Sequence, residues 1–427
     1  MSLPLNTQAL QIIDRWLGMP ACAALSLFRK IADLFSSPQI GPVQPKKILF
    51  VKFAEQGSTV LAFPAIARAI EMVGRENVWF VVFEENRFIL DLMQLIPEEN
   101  VITIRHNGVV DMVNQALGAL AKIRSLGIDA AVDMEFFSRS SAALTFLTGA
   151  RMRAGLHTFF GDGPYRGDLL THRLLYNPYH HTSQIFLQMI EALAMDPKTL
   201  PTQSAPAPAI EKWLPEVSAR PADQAEVRAI VRRELAAVGY TVGESLPPIV
   251  LLNPNASDLL PLRKWPTDRY VQTARQLFAR FPDICIGLTG GPSEAPSAER
   301  VAAEIGDRRC VSLAGKTSLG QLLTLYSICE LLVTNDSGPA HFASMTGISV
   351  VTLFGPETPS LFGARSPRNT ALWAGLACSP CVNAYNNRQS PCRNNLCMQH
   401  ITVEQVVEAA SAALEARLSR TGPVAAV

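Results

Sequence analysis

Three segments in the second half of the sequence carry side chains suited to binding an anion or a sugar, and each follows a short apolar run. They are residues 253–270, 288–299 and 331–355. An arginine can hold a phosphate with two parallel hydrogen bonds, and paired glycines let a ligand approach the backbone closely. The alternative for the first segment is a solvated basic pair. The candidate binding residues are Arg263, Lys264, Gly290, Gly291, Glu294, Asn335, Asp336, Ser337, Gly338 and His341.

The third segment predicts a helix that begins directly after a strand. The strand ends at Thr334, a polar turn follows, and Pro339 suits the first position of a helix. Backbone N–H groups and the positive end of the helix would favour a diphosphate at this point. The alternative is an ordinary strand-to-helix turn in which Asp336 or Ser337 caps the helix.

Four of the eight cysteines are crowded near the C-terminus with the spacing C-x2-C-x10-C-x4-C. Two close pairs of thiolates are typical of a tetrahedral metal site, and metal is favoured over disulfides in a cytosolic chain. Four thiolate ligands leave no open coordination position, so we expect a structural metal ion and no catalytic one. The alternative is a set of core or redox cysteines. The four candidate ligands are Cys378, Cys381, Cys392 and Cys397.

Apolar strands alternate with helical stretches along most of the chain, which indicates parallel sheets covered by helices. We predict an α/β protein with two doubly wound, Rossmann-like domains facing a cleft. Ligands of such sheets bind beyond the carboxyl ends of the strands. The predicted divisions are a helical segment (1–45), a first Rossmann-like domain (46–195), a linker with a helix (196–247) and a second Rossmann-like domain (248–420) that contains the cysteine segment (378–397).

The overall composition argues against several classes of protein. Lys and Arg number 38 and Asp and Glu 37, a balance that argues against nucleic-acid binding. The sequence has neither the ~20 apolar residues of a membrane span nor a signal-peptide pattern, so we expect a cytoplasmic protein. Residues 10–35 are amphipathic, and Gly18 and Pro20 should break them into two short helices. That pair either packs on the main body or anchors the protein peripherally to the inner membrane.

Taken together, these segments resemble glycosyltransferase family 9, the bacterial heptosyltransferases. That family has a basic residue two positions before Trp-Pro, here Arg263, and a Gly-Gly pair followed by a glutamate, here Glu294. Its most specific motif, Asn/Asp-Asp-Ser/Thr-Gly with a small spacer and a His, corresponds to residues 335–341. A strand that ends in Leu-Phe-Gly follows it, here at residues 353–355. The likeness covers residues 47–415 and is stronger in the second half.

The resemblance implies a GT-B fold and a metal-independent transfer, with inversion, of a heptose from an ADP-sugar to a glycan or glycolipid. It also implies that the first Rossmann-like domain binds the acceptor and the second binds the donor nucleotide. In the family, the residue matching Asp336 contacts the donor sugar, and the turn at Ser337 and Gly338 faces the diphosphate. For His341 we favour a structural role, in which its side chain supports the loop.

The first half departs from the family at one functional position. The family has Gly-Asp where this chain has Gly57-Ser58, and that aspartate is its usual catalytic base. We therefore predict that Glu55, in the same loop, is the general base, and that Gly57 and Ser58 are substrate-binding residues. Asp133 and Glu135, at the end of the fourth strand, are rivals. The alternative is that these acids only cap helices or bind loop amides.

Cysteine sets of this kind also occur in some family members, including protein-modifying autotransporter heptosyltransferases, where a bound iron is implied. The thiolates suit zinc or iron. Three functions therefore remain open: heptose transfer to a lipid-linked saccharide, protein O-heptosylation, and non-catalytic binding of a nucleotide sugar.

Overall fold

The computed structural model describes residues 7–35, 44–159, 164–200, 209–256, 260–386 and 388–421. Parts of the predicted N-terminal segment and linker, at 1–6, 36–43 and 201–208, lie outside these ranges. The strands are β1 (Ile48–Val51), β2 (Val78–Phe83), β3 (Val101–Ile104), β4 (Ala130–Asp133), β5 (Met152–Leu156), β6 (His172–Leu174), β7 (Ile249–Asn253), β8 (Cys285–Leu288), β9 (Cys310–Ser312), β10 (Leu331–Asn335), β11 (Ser349–Phe354) and β12 (Asn369–Trp373).

Helices connect nearly all of these strands, as parallel pairing requires. They are α1 (Thr7–Trp16), α2 (Gly18–Phe35), α3 (Gln56–Leu61), α4 (Phe63–Val73), α5 (Arg87–Met93), α6 (Val109–Ser125), α7 (Arg139–Leu147), α8 (Thr182–Glu191), α9 (Pro221–Ala237), α10 (Thr267–Arg280), α11 (Ala295–Ile305), α12 (Leu319–Ile328), α13 (Gly338–Ser344), α14 (Pro359–Phe362), α15 (Leu396–Gln399) and α16 (Val403–Thr421).

The chain divides into two units. Unit 1 comprises Met1–Trp213 together with Val382–Gln389, and unit 2 comprises Leu214–Cys381 together with Ser390–Val427. Eight residues from the middle of the cysteine segment therefore belong to unit 1, whereas the four cysteines belong to unit 2. Helix α9, from the predicted linker, is part of unit 2.

Each unit contains a six-stranded parallel sheet with the same strand order. The order is β3-β2-β1-β4-β5-β6 in unit 1 and β12-β11-β10-β7-β8-β9 in unit 2. This is the doubly wound order of a Rossmann fold, whose ligand site lies where the strand order reverses. The reversal falls between β1 and β4 in unit 1 and between β7 and β10 in unit 2. The predicted pair of Rossmann-like domains is confirmed.

The central strands are fully buried, as their uninterrupted apolar sequences predict. Every residue of β1, β4, β7, β10 and β11 is buried. In unit 2 the apolar residues of β7, β8 and β10 pack with those of α10, α11 and α16 in one core cluster. These rigid strands fix the points at which the functional loops begin.

The N-terminal helices are anchored to unit 1 by polar contacts. The Asp14 carboxylate accepts hydrogen bonds from the backbone N–H groups of Arg139 (2.9 Å) and Ser140 (2.7 Å) at the start of α7. Arg29 of α2 forms an ion pair with Asp168. Pro20 does not break the segment as expected, because it lies in the first turn of α2, where a missing N–H costs nothing. The break falls at Leu17 instead.

Candidate functional site

In unit 2, Asn335 lies at the end of β10 and holds the neighbouring loop in place. Its side-chain N–H donates to the backbone oxygen of Asn255 (2.9 Å). Its side-chain oxygen accepts from the backbone N–H of Trp265 (3.1 Å) and from the Tyr270 hydroxyl (3.1 Å). The side chain is fully buried. The structure therefore gives Asn335 the role of positioning the loop that carries Arg263 and Lys264.

Arg263 lies beside two buried carboxylates. Its Nε is 3.5 Å from Oδ2 of Asp336, and its Nη2 forms an ion pair with Glu357. The arginine side chain is 15% exposed, and both acids are almost fully buried. The interpretation as a solvated basic pair is therefore wrong for Arg263, whereas Lys264 is exposed. The cluster brings Arg263, from the segment 253–270, together with Asp336 and Glu357, which lie in and directly after the segment 331–355.

Glu357 was not among the residues predicted from the sequence. It comes two residues after the Leu-Phe-Gly end of β11. An acid at the end of a central strand of a Rossmann-like sheet, in a region rich in family motifs, is the signal that would have identified it.

The Gly-Gly segment after β8 is held by a hydrogen bond to Glu294, three residues further along the chain. Oε2 of Glu294 accepts the backbone N–H of Gly291 at 2.6 Å. At Gly290 an added Cβ would lie 2.7 Å from Nδ2 of Asn255 and 3.0 Å from Oε2 of Glu294, so a larger residue would displace both side chains. The carboxylate of Glu294 is thus held in one orientation at the end of β8.

The turn after β10 has the predicted helix but not the predicted side-chain cap. Ser337 occupies the N-cap position of α13 without a capping hydrogen bond, and its hydroxyl donates to the Asn335 backbone oxygen (3.2 Å). Gly338 begins the helix, as the sequence indicated to within one residue. His341 is buried within it.

In unit 1, Glu55 and Ser58 are direct neighbours in the loop after β1. The Ser58 hydroxyl lies 3.1 Å from Oε2 of Glu55 and 2.9 Å from the Glu55 backbone oxygen. Gly57 lies between them in the first turn of α3. Glu55 has φ 69°, a left-handed conformation that is uncommon for a residue other than glycine. Strained residues of this kind are concentrated at functional sites.

Lys52, at the carboxyl end of β1, lies between two of the candidate acids. Its Nζ donates to the Ala54 backbone oxygen (2.9 Å) and lies 4.0 Å from Oε2 of Glu55 and 3.8 Å from Oε1 of Glu135. The side chain is fully buried, so its charge acts at low dielectric. The sequence showed only a lysine directly after an apolar strand, and its role was not predicted.

Glu135 and Asp133 are engaged in holding the backbone and an arginine. Oε1 of Glu135 accepts the backbone N–H groups of Phe53 (2.7 Å) and Ala54 (3.1 Å). Asp133 is fully buried and pairs with Arg166. Burial raises the pKa of the Asp133 carboxyl to about 6, and the Arg166 guanidinium opposes that rise. The contacts of these two acids thus match the alternative in which they serve only the structure. Of the three candidate acids, Glu55 is the most exposed.

The four clustered cysteines differ in exposure. Cys378 and Cys392 are exposed, Cys381 is half-buried and Cys397 is buried, and none of these four is in a disulfide. Burial raises the pKa of the Cys397 thiol, and the charges of the other three add to that rise. Their donor chemistry suits a metal, but within the described ranges no three His, Cys, Asp or Glu side chains form a coordination group. The metal site stays a prediction.

The sequence itself matches the model of one protein family over more than half its length. Residues 120–390 match glycosyltransferase family 9 (heptosyltransferase). The chain belongs to glycosyltransferase family 9. The matched residues include the loops of Arg263, Glu294 and Asp336. Within this family 9 chain, Arg263 follows β7 and Asp336 follows β10, the two strands between which the strand order of unit 2 reverses.

Curated family 9 relatives match only part of the chain. Lipooligosaccharide heptosyltransferase 2 of Haemophilus influenzae is 28% identical over 191 residues, which are 44% of this chain and 51% of that protein. The chain thus spans about half the length of the curated relatives it matches most strongly.

Solved structures share the fold over a greater length. The E. coli ADP-heptose LPS heptosyltransferase II has a TM-score of 0.61 at 19% identity, covering 88% of this chain and 100% of that one. The E. coli heptosyltransferase WaaC with ADP has a TM-score of 0.58 at 16% identity, covering 86% and 99%. These similarities show that the family 9 chain has the predicted GT-B type of fold.

Proposed function

We propose that this chain transfers a heptose or a related sugar from an ADP-sugar to a glycan hydroxyl, with inversion and without a catalytic metal. One observation supports the proposal most directly. The Glu55 carboxylate lies 3.1 Å from the hydroxyl of Ser58, which occupies the position of the family's catalytic aspartate. The chain therefore has a carboxylate beside the place where the family keeps its base.

In the proposed reaction, the acceptor hydroxyl gives its proton to Glu55 as its oxygen attacks the anomeric carbon. The new carbon–oxygen bond forms while the bond from that carbon to the diphosphate breaks, and ADP leaves with the electron pair. General-base assistance of this kind contributes about 10²–10⁴-fold to a rate.

The donor side of the proposal involves unit 2. Asp336 would contact the sugar, and the guanidinium of Arg263 would contact the diphosphate. Glu294, held in orientation by Gly291, would accept hydrogen bonds from the ribose or the base. The structure of WaaC with ADP supports ADP as the nucleotide to test first.

A turnover assay tests this function. Purified protein is incubated with ADP-heptose and a lipopolysaccharide-core acceptor, and released ADP is measured, with a thermal-shift panel of ADP-, UDP- and GDP-sugars alongside. We expect a shift with ADP-sugars and ADP release that requires acceptor. A thermal shift with ADP-sugars but no release of ADP, with either a saccharide or a protein as acceptor, would favour the non-catalytic alternative. Release of ADP with a protein acceptor alone would favour protein O-heptosylation.

The four cysteines are proposed to hold a structural zinc or iron ion. Elemental analysis of the purified protein should give about one metal ion per chain, because four thiolates complete a tetrahedral shell. Cys392→Ser should lower that content and reduce the thermal stability of unit 2. A metal-free protein whose unfolding curve equals that of the metal-containing protein would contradict this proposal.

Helices α1 and α2 are proposed to contact the cytoplasmic face of the inner membrane. Their inward side is fixed by Asp14 and Arg29, whereas Trp16, Phe28 and Phe35 are 72%, 63% and 87% exposed. Exposed aromatic side chains next to cations are typical of a helix that lies in a lipid interface. In the part of the chain that the structure describes, no helix has the length and apolar character to cross a bilayer.

Vesicle sedimentation tests this contact. Replacing Trp16 and Phe28 with serine should reduce binding to vesicles that contain phosphatidylglycerol, and added salt should weaken the wild-type binding. Tyr179→Ser is the matched control, because Tyr179 is 91% exposed on another part of unit 1. Equal sedimentation of all three proteins would limit α1 and α2 to a packing role.

A further inference from the structure

Residues 382–386 and 388–389, between the two cysteine pairs, form a turn in unit 1. The side-chain oxygen of Asn383 accepts the backbone N–H groups of Tyr385 (2.9 Å) and Asn386 (3.1 Å). The Arg388 backbone N–H donates to the Asn383 backbone oxygen at 3.1 Å. Val382 and Ala384 are buried. The turn therefore presents its two largest side chains, Tyr385 and Arg388, from a defined backbone.

Tyr385 attaches this turn to the loop after β4. Its ring stacks on Phe137, with centroids 5.5 Å apart and planes inclined by 26°. It also meets the Tyr176 ring edge-on at 5.2 Å, and its hydroxyl donates to the Tyr176 backbone oxygen at 2.9 Å. Aromatic contacts of this geometry stabilise a packed arrangement beyond the area they bury.

Arg388 extends from the same turn to the candidate base. Its Nη1 forms an ion pair with Oε1 of Glu55, and its guanidinium lies over the Phe136 ring, 5.6 Å from the centroid. The other carboxylate oxygen, Oε2, faces the Ser58 hydroxyl. The carboxylate of Glu55 is thus fixed through one oxygen, while the second accepts a hydrogen bond from Ser58, the residue that stands where the family has its aspartate.

Backbone strain is concentrated at the same place. Four residues other than glycine have positive φ along the described ranges, and three of them meet here: Glu55 (69°), Phe137 (56°) and Arg388 (55°). Such conformations cost free energy and persist where surrounding contacts over-determine them. The contacts that do so here are the ion pair of Arg388 and the ring stacking of Tyr385.

We infer that Arg388 is a positioning residue for Glu55 and that Tyr385 fixes the turn that carries it. The inference rests on the proposed function, in which Glu55 takes the acceptor proton. By holding Oε1, Arg388 orients Oε2 towards the acceptor hydroxyl. The cysteine segment then has a role in the reaction that is separate from any metal it holds, because the turn between its cysteines supplies this arginine.

Arg388→Gln tests the inference directly. We expect kcat to fall about 10- to 50-fold while KM for the donor changes less than about twofold, because an orienting contact acts on the transition state. Arg388→Lys should recover part of the loss. Arg393→Gln is the matched control: it removes the same charge from an exposed arginine five positions along the chain and should retain normal kcat. Equal rates for Arg388→Gln and Arg393→Gln would overturn the inference.

A double-mutant cycle with Glu55→Gln separates positioning from a general structural effect. If Arg388 acts through Glu55, the double variant is no slower than Glu55→Gln alone, whereas independent effects would multiply. The same four proteins are unfolded in urea, where we expect a coupling of about two- to fivefold in the unfolding equilibrium constant. The positioning role would be refuted if the effects of the two substitutions on kcat multiply and the unfolding equilibria show no coupling between them.

The unfolding cycle also separates this inference from the proposed function. If the wild-type protein transfers no sugar from ADP-linked donors, the proposed function fails and the positioning role fails with it. A measured coupling would then still establish the Arg388–Glu55 pair as a feature of unit 1, and a coupling of zero would remove the pair as well.

Discussion

Replacing Glu55 with glutamine is expected to reduce kcat at least ~100-fold while ADP binding is retained, as for the loss of a general base. Glutamine keeps the length and the hydrogen-bonding oxygen of the side chain but accepts no proton at neutral pH. The contacts of Glu55 support this expectation, since its carboxylate reaches the Ser58 hydroxyl, whereas Asp133 is fully buried against Arg166. Initial rates with saturating donor, together with calorimetric titration of ADP, provide the measurement.

The rival acids serve as the comparison for this variant. Asp133→Asn and Glu135→Gln should chiefly affect stability, because Asp133 pairs with a buried arginine and Glu135 binds two backbone N–H groups of the β1 loop. Near-normal kcat in Glu55→Gln, with a collapse in either of the other two variants, would assign the base to the end of β4.

Replacing Arg263 with alanine is expected to weaken ADP binding by about 1.5–3 kcal/mol, or roughly 10- to 150-fold, the range for a hydrogen bond to a charged group. Arg263 is mostly buried and is held in one orientation by Asp336 and Glu357, so little entropy is lost when it contacts a diphosphate. Titration of ADP into the purified variant gives the affinity.

Lys264→Ala provides the matched control, since it removes an adjacent, exposed cation and should change the affinity far less. Without Arg263, Asp336 and Glu357 become neighbouring buried carboxylates, so urea unfolding must establish that the variant is folded. If a folded Arg263→Ala variant and Asp336→Ala both bind ADP as the wild type does, the donor site lies elsewhere.

The sequence was sufficient to predict the two Rossmann-like domains. Most strands are continuous apolar runs between helical stretches, a local pattern that needs no tertiary information. β6 and β12 lack this pattern, because they are edge strands of mixed polarity, and β12 is largely exposed. The capping boxes at Ser318 and Thr402 are equally local, since each depends on two residues three positions apart.

For the candidate site, the sequence determined which loops matter, and the tertiary structure decided what each side chain does there. Motif spacing selected the segments of Arg263, Glu294 and Asp336, because the functional loops follow strand ends that local sequence defines. Spacing could not show that the Asn335 side chain uses its hydrogen bonds to position the loop that carries Arg263. Nor could it bring Arg388 to Glu55, since 333 residues separate them. Contacts between residues so distant in the sequence arise only when the β1 loop, the β4 loop and the turn that carries Arg388 pack together within unit 1, and that packing decides which carboxylate the arginine contacts.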